Sequence, residues 1–327
     1  MSWKADFLDR FKDFSVLNEP LSGFTSYLIG GPAEALSFPQ SDADVCSLLA
    51  YAHDKKIPLT VLGAGTNVLI GDCGIEGIVC ILGHCDAGLK RIFRRRNVAL
   101  HEKGCRPLCS VNYSGTRISS GASVLWDSLV LTAAQAGLGG LERLSGIPGS
   151  VGGAVYMNAG AFEASAFDGL AQFTAVSRDG KNIRVFSRAD VKAEYRHVEG
   201  LDGHVILSAE WDLRVAGRNP VMAERRRVLD RRAEKQPLDL PSAGSVFKRP
   251  AGDFASRLID AAGLKGRKVG GAEVSSKHAG FIVNTGGATA ADVKALMGIV
   301  RSEVYEKFKI ELELEQILLG SFGPEAQ

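Results

Sequence analysis

Leu59-Thr60-Val61-Leu62-Gly63-Ala64-Gly65-Thr66-Asn67 is the stretch on which the reading of this chain turns. An apolar strand runs directly into a loop of small residues. Consecutive small residues expose a row of backbone N–H groups, and Thr66 and Asn67 add side-chain donors, so the loop suits an anionic diphosphate. No third glycine opens a helix, no acidic residue follows at the Rossmann distance, and no Gly-Lys-Ser/Thr of a P-loop appears. A tight strand–strand turn accounts for the loop equally well. A second loop, Ser145-Gly146-Ile147-Pro148-Gly149-Ser150-Val151-Gly152-Gly153-Ala154-Val155-Tyr156-Met157-Asn158-Ala159-Gly160, holds five glycines in sixteen positions. So little bulk lets a flat aromatic ring lie against backbone, although the same pattern also serves a buried loop that packs two strands closely. Two such loops point to a large dinucleotide, flavin ahead of nicotinamide.

Outward from the loops, the chain alternates strands and helices. Residues 1–20 are expected to form a short, amphipathic N-terminal helix. Residues 34–39 read as a strand, and Ser41 caps a helix with Asp44 at the capping-box position and Val45, Leu48, Leu49 and Ala52 on one face. Strands follow at 68–70 and 77–82. The basic run Lys90-Arg91-Ile92-Phe93-Arg94-Arg95-Arg96 and a turn at Cys105-Arg106-Pro107 mark residues 87–111 as an insertion, a solvated hairpin rather than a nucleic-acid surface. A helix through Leu125, Leu129 and Ala133 closes at Gly137, and strands are expected near 173–176, 183–186 and 204–213. A basic helix spans 218–235. Beyond it lie a helix at 254–262, a strand at 280–284, a helix at 290–308 capped by Thr289 and Asp292, and an alternating strand at 311–315. The predicted division is 1–20, then 21–214 as two α/β subdomains (21–85 and 112–214), then 215–322.

Composition excludes other classes. Lys plus Arg is 39 and Asp plus Glu is 37, a net charge of +2, so there is no bulk field for nucleic acid or membrane. Hydrophobic residues at 45% and charged residues at 23% are ordinary globular usage. Glycine is the outlier, 38 of 327 residues with only 11 prolines. No apolar run is long enough to span a membrane and no signal-peptide core opens the chain, so the expected location is the cytoplasm. Cys46, Cys73, Cys80, Cys85, Cys105 and Cys109 form no Cys-x-x-Cys pair; His84, His101 and their neighbouring cysteines do not match zinc spacing, and reduced thiols are the expectation.

Leu62-Gly63-Ala64-Gly65-Thr66-Asn67-Val68-Leu69, Gly146-Ile147-Pro148-Gly149 with Met157-Asn158-Ala159-Gly160, and Pro241-Ser242-Ala243-Gly244-Ser245-Val246-Phe247-Lys248 together resemble the UDP-N-acetylenolpyruvoylglucosamine reductase family, in its second, shorter type. Lys277-His278, Phe281-Ile282-Val283-Asn284 and Leu312-Glu313-Leu314-Glu315 fit it too, so the resemblance runs in order over residues 20–320. It implies an α+β fold: a two-part FAD-binding domain of the vanillyl-alcohol-oxidase/PCMH type, then a C-terminal α+β substrate-binding domain. It further implies FAD as cofactor, NADPH as co-substrate, reduction of an enolpyruvyl ether in peptidoglycan biosynthesis, a small-molecule UDP-sugar partner, no nucleic-acid or membrane partner, and a monomer.

The resemblance also assigns residues. Ser245 is the proton donor, a weak acid that needs a neighbouring charge or water. Arg196 binds the substrate carboxylate and stabilises the enolate with its fixed fork of donors; without the resemblance it reads as a surface arginine. Glu315 is the catalytic carboxylate, a choice that alternation alone cannot make among Glu311, Glu313 and Glu315. FAD contacts fall to Gly63, Ala64, Gly65, Thr66, Asn67, Val68, Leu69, Ser145, Gly146, Ile147, Pro148, Gly149, Gly152, Gly153, Asn158, Ala159 and Gly160. Substrate contacts fall to Tyr195, Lys235, Lys248, Lys277 and His278, and no metal is implied. Four departures stand out: Arg249 where asparagine is usual, Val198 where serine is common, Gly280 in place of asparagine, and Gln316 in place of an aliphatic residue. Another FAD-dependent oxidase or dehydrogenase of this fold, or a catalytically silent FAD-binding protein, are the competing readings.

Overall fold

The computed structural model describes residues 3–83 and 107–323. The basic run at 90–96, the turn at Cys105-Arg106 and the histidine–cysteine cluster from His84 to Cys105 lie outside them. The chain divides into two compact units: Met1–Leu17, Ala35–Ala64 and Gly77–Arg231 form one, and Asn18–Glu34, Gly65–Glu76 and Arg232–Gln327 the other. The expected 21–85 subdomain is thus split by contacts rather than kept whole, because the segments 18–34 and 65–76 pack with the C-terminal residues.

In the first unit, the parallel pair Leu59–Leu62 and Ile75–Ile81 belongs to a four-stranded sheet (Leu59 opposite Ile78, Leu62 opposite Ile81). The helices Trp3–Phe11 and Asp42–Lys55 bury Phe7, Phe11, Val45, Leu48 and Leu49 in one core with Ile78 and Cys80. The Ser41–Asp44 capping box forms as the sequence predicts. The N-terminal segment is corrected: its helix ends at Phe11 and Ser15–Pro20 is a strand. A five-stranded antiparallel sheet follows, in the order Ile183–Ser187, Leu170–Ser177, His204–Asp212, Arg117–Gly121, Val111–Ser114. The helices Trp126–Gln135 and Val151–Tyr156 share a core with this sheet, in which Trp126 meets Trp211 edge-on at 5.6 Å. Leu125, expected within this helix, is its exposed N-cap residue instead. The basic helix is Arg218–Lys235 as expected.

The second unit is built on the helix Ala290–Phe308, whose Val293, Leu296, Met297, Val300 and Val304 stripe is buried against Ala272–Val274 and Ile282–Asn284. Thr289 and Asp292 make the capping box, and Asp72 accepts the Ala290 and Ala291 N–H groups at 2.8 and 2.9 Å. The predicted strand at 311–315 is replaced. Only Leu314 bridges there, to Phe247, and the strand proper is Ile317–Leu319, parallel to Val68–Ile70. Alternation of side chains (Leu312 buried, Glu311 and Glu313 exposed) misled because irregular chain can alternate as well as a strand. The thiols also need one correction. Cys46, Cys73 and Cys80 are free, but Cys109 is disulfide-bonded.

Candidate active site

Within the first unit the two glycine loops touch. A Cβ on Gly63 would lie 2.5 Å from Ser150 Oγ and 3.9 Å from Gly153 Cα. Ser150 Oγ accepts the Gly153 N–H at 3.2 Å, capping the short helix inside the second loop. Gly152 packs on Ala122, with a Cβ there 3.0 Å from that methyl. The start of the loop is bolted from elsewhere. Asp127 Oδ1 accepts the Gly146 N–H at 2.6 Å, and the same carboxylate takes both Nη atoms of Arg225 at 2.6 Å. Ser145 is fully buried and donates to the Glu142 carbonyl at 2.6 Å. Gly146 and Gly149, at φ 71° and 143°, adopt backbone conformations that other residues rarely accept.

The end of the loop meets the candidate catalytic arginine. Ala193-Glu194 and His197-Val198 pair as a hairpin with Tyr195-Arg196 at its tip. Asn158 Nδ2 donates to the Glu194 carbonyl at 2.9 Å, and Arg196 Nη2 donates to the Gly160 carbonyl at 2.9 Å. A Cβ at Gly160 would crowd Ala164 O at 2.7 Å and Arg196 Nη1 at 3.4 Å. Arg196 holds a left-handed φ of 57°, a strained conformation of ~1 kcal/mol for a non-glycine residue, and its guanidinium lies 5.0 Å from the exposed Tyr195 ring.

The second unit places Ser245 and Glu315 on neighbouring antiparallel chains. Ser245 bridges Phe281 on one side, and on the other Phe247 bridges Leu314. The Glu315 N–H donates to the Val246 carbonyl at 2.8 Å, and the Lys248 N–H to the Glu313 carbonyl at 2.8 Å. Asn67 Nδ2 donates to the Glu315 carbonyl at 3.1 Å, while its own carbonyl accepts from Ile317 N–H at 3.0 Å. Gly65 is forced, with φ 65° and Phe24 O where a Cβ would stand. Val68 and Leu69 pair with Ile317 and Leu318.

The nominated cations divide in character. Lys235 is exposed at the end of its helix. Lys248 Nζ lies 3.3 Å from the Glu313 carboxylate, and Lys277 Nζ donates to the Ala233 carbonyl at 2.7 Å. His278 does not supply a positive charge at neutral pH. Burial pushes its pKa down, and its Nδ1 accepts the Gly280 N–H at 3.1 Å. Gly280 is what that contact needs, since a Cβ there would come within 3.0 Å of the imidazole. Arg249 stacks its guanidinium 4.4 Å over Phe254.

Asn158 also carries the test for a cofactor. Its Oδ1 is buried and has no hydrogen-bond partner among the described residues, and leaving a buried acceptor unmet costs roughly 1–3 kcal/mol. A ring N–H or a sugar hydroxyl of a flavin nucleotide satisfies such an acceptor, and the close-packed glycine loops present little but backbone beside it. The residues present fit FAD.

A family model described as an FAD binding domain matches residues 33–185. One described as the C-terminal domain of UDP-N-acetylenolpyruvoylglucosamine reductase matches residues 236–319. Together these define an FAD-dependent oxidoreductase with a dedicated C-terminal domain. The chain is 40% identical over 305 residues to the UDP-N-acetylenolpyruvoylglucosamine reductase of Listeria monocytogenes strain EGD-e, covering 93% of this chain and 94% of that protein. It is 39% identical over 304 residues to that of Lactobacillus delbrueckii subsp. bulgaricus, covering 93% and 94% respectively. The crystal structure of the Thermus caldophilus reductase matches with a TM-score of 0.74 at 31% identity, over 94% of this chain and 98% of that one. The chain belongs to the UDP-N-acetylenolpyruvoylglucosamine reductase family.

The sequence reading missed Asp127 and Arg225, which hold a glycine loop without belonging to it, and Tyr27 and Gln316, which are described below. Gln316 had left a trace, as a polar residue in an aliphatic place.

Proposed function

We propose that this chain reduces UDP-N-acetylenolpyruvoylglucosamine to UDP-N-acetylmuramate with NADPH as the electron source, in the peptidoglycan pathway. We read it as a cytoplasmic monomer; among the described residues no helix is long and apolar enough to cross a membrane. The observation that carries the reading is that the chains bearing Ser245 and Glu315 pair through the Phe247–Leu314 bridge and the Glu315 N–H to Val246 carbonyl bond, within the domain matched to this family.

The bound flavin supplies hydride acceptance from NADPH and hydride delivery to the vinyl carbon of the substrate. Gly63, Ser150, Gly152, Gly153, Asn158 and Gly160 are the first-unit residues that would hold it. Addition at that carbon leaves an enolate on the substrate. Arg196 binds the substrate carboxylate and offsets the growing charge, a task for a planar fork of donors. The Ser245 hydroxyl then gives its proton to the adjacent carbon, with Glu315 as the catalytic carboxylate. Lys235, Lys248 and Lys277 neutralise the diphosphate, and His278 contributes as a neutral group.

An anaerobic visible spectrum tests this. The FAD-loaded protein should lose its flavin band on addition of NADPH and regain it on addition of the enolpyruvyl substrate. Ser245→Ala should bleach at a rate close to wild type and recover roughly 10²–10⁴-fold more slowly, the usual worth of a general acid. A wild-type band that bleaches and never returns discards the substrate; failure to form a band after FAD loading discards the whole reading.

A further inference from the structure

We propose that Gln316, backed by Tyr27, is a positioning residue for the Ser245 proton donor; the inference rests on the role given to Ser245 above. The register places the two together. Leu314 lies opposite Phe247 in an antiparallel bridge and Glu315 bonds to Val246, so Gln316 comes level with Ser245. Its side chain turns inward, with Gln316 3% exposed. Both protons of its amide are spent on the two carbonyls that precede the serine: Nε2 donates to Ala243 O at 3.1 Å and to Gly244 O at 3.2 Å. Gly244 has φ 75°, so its peptide planes are set by backbone rotation that no side chain restricts, and the clamp is what fixes them.

The other end of the amide is held as firmly. Tyr27, fully buried, donates its phenol proton to Gln316 Oε1 at 3.1 Å. Burial pushes that phenol up, so it remains a donor throughout the working pH range. The Tyr27 carbonyl accepts from Asn284 Nδ2 at 3.0 Å, and Asn284 Oδ1 in turn accepts the Gly286 and Ala288 N–H groups at 2.9 and 3.2 Å. The amide has one orientation only, since reversal would set its oxygen against two carbonyl oxygens and its NH2 against a donor. Gln316 therefore fixes the two peptide groups leading into Ser245 and the chain that carries Glu315.

The test compares three variants of the FAD-loaded enzyme in the two half-reactions. Gln316→Leu should bleach with NADPH within about twofold of wild type and bind substrate to the oxidised enzyme, read from the flavin band shift, within a similar margin. Band recovery with substrate should slow by roughly 10–10²-fold, the effect of displacing a reacting group by up to an ångström. Tyr27→Phe should slow recovery by a smaller factor in the same step. Gln316→Glu gives the readout that mere structural support would not move. Its carboxylate can accept from Tyr27 yet has nothing to donate to the carbonyls until it is protonated, so its recovery rate relative to wild type should rise as pH falls. A wild-type recovery rate in Gln316→Leu overturns the proposal. Equal slowing of both half-reactions with loss of FAD overturns it as well, by making the residue a fold support, and so does a flat pH ratio in Gln316→Glu. Ser245→Ala run alongside separates the two levels: if it recovers at the wild-type rate, the reading of Ser245 has failed. Slow recovery there with normal recovery in Gln316→Leu and Tyr27→Phe sinks only the clamp.

Discussion

The glycine loops of the first unit and the Ser245–Glu315 platform of the second are held in place by opposite means. The loops are shaped by what is missing: Gly63, Gly152 and Gly160 allow contacts that a single Cβ would break, and one ion pair from outside, Asp127–Arg225, anchors the lead-in. The platform is shaped by what is added. Primary amides from Asn67, Asn284 and Gln316 reach across to backbone carbonyls, and a Cβ at Gly244 would meet nothing within 4 Å among the described residues. A surface that must accept a large flat ligand benefits from bare backbone, whereas a group that must deliver a proton at one point benefits from side chains that remove its freedom.

The largest expected loss that would break this contrast comes from the ion pair. Arg225 is almost wholly buried and Asp127 is 38% exposed at its side chain, so Arg225→Met should destabilise by about 2–3 kcal/mol, below the cost of breaking a fully buried pair. Denaturant titration checks the size. FAD affinity should fall with it, because the Gly146 N–H loses a fixed acceptor. Unchanged FAD affinity would show the loop to be self-supporting and the external bolt irrelevant to it. Asp127→Asn should cost less than Arg225→Met, since an amide oxygen still accepts from Gly146.

Gly63→Ala sharpens the contrast at a smaller cost. Its new methyl would meet Ser150 Oγ at 2.5 Å, and the hydroxyl can escape only by leaving the Gly153 N–H. The loss is expected at about 1–2 kcal/mol, a helix cap plus some crowding. Gly63→Ala combined with Ser150→Gly should cost less than the sum of the two single changes, because the second substitution removes the atom that the first collides with. Additive costs would mean that the loops do not touch there.

Legibility divides along the same line. Clusters of glycine among small apolar residues stand out locally, so both loops are visible in the sequence, as are the capping boxes at Ser41 and Thr289 and the buried stripe of the helix at 290–308. Contacts made by one side chain across a long separation leave no local mark of the partner, even where, as at Gln316, the residue itself is out of place. Tyr27 and Gln316 are 289 residues apart, Asp127 and Arg225 are 98 apart, and nothing in either neighbourhood selects the partner. Glu315 shows the intermediate case. Family resemblance picked it out, but the strand drawn around it was wrong, because its chain is ordered by hydrogen bonds to Val246 and Asn67 rather than by a regular ladder.

The smallest expected effect concerns His278, where the contrast predicts side-chain-to-backbone locking rather than charge. Burial lowers its pKa from the ordinary value of 6.5, and Nδ1 is engaged as an acceptor. The native state therefore resists protonation that the unfolded chain accepts. The stabilisation is fully present above pH ~6.5 and is progressively lost as pH falls below it, since there the unfolded state binds more protons. His278→Gln should lower stability slightly at pH 8 yet flatten the decline between pH 7 and pH 5, measured as unfolding midpoints at fixed ionic strength. If the decline is as steep in the variant as in the wild type, the imidazole is not what senses the acid, and His278 returns to the list of cations facing the diphosphate.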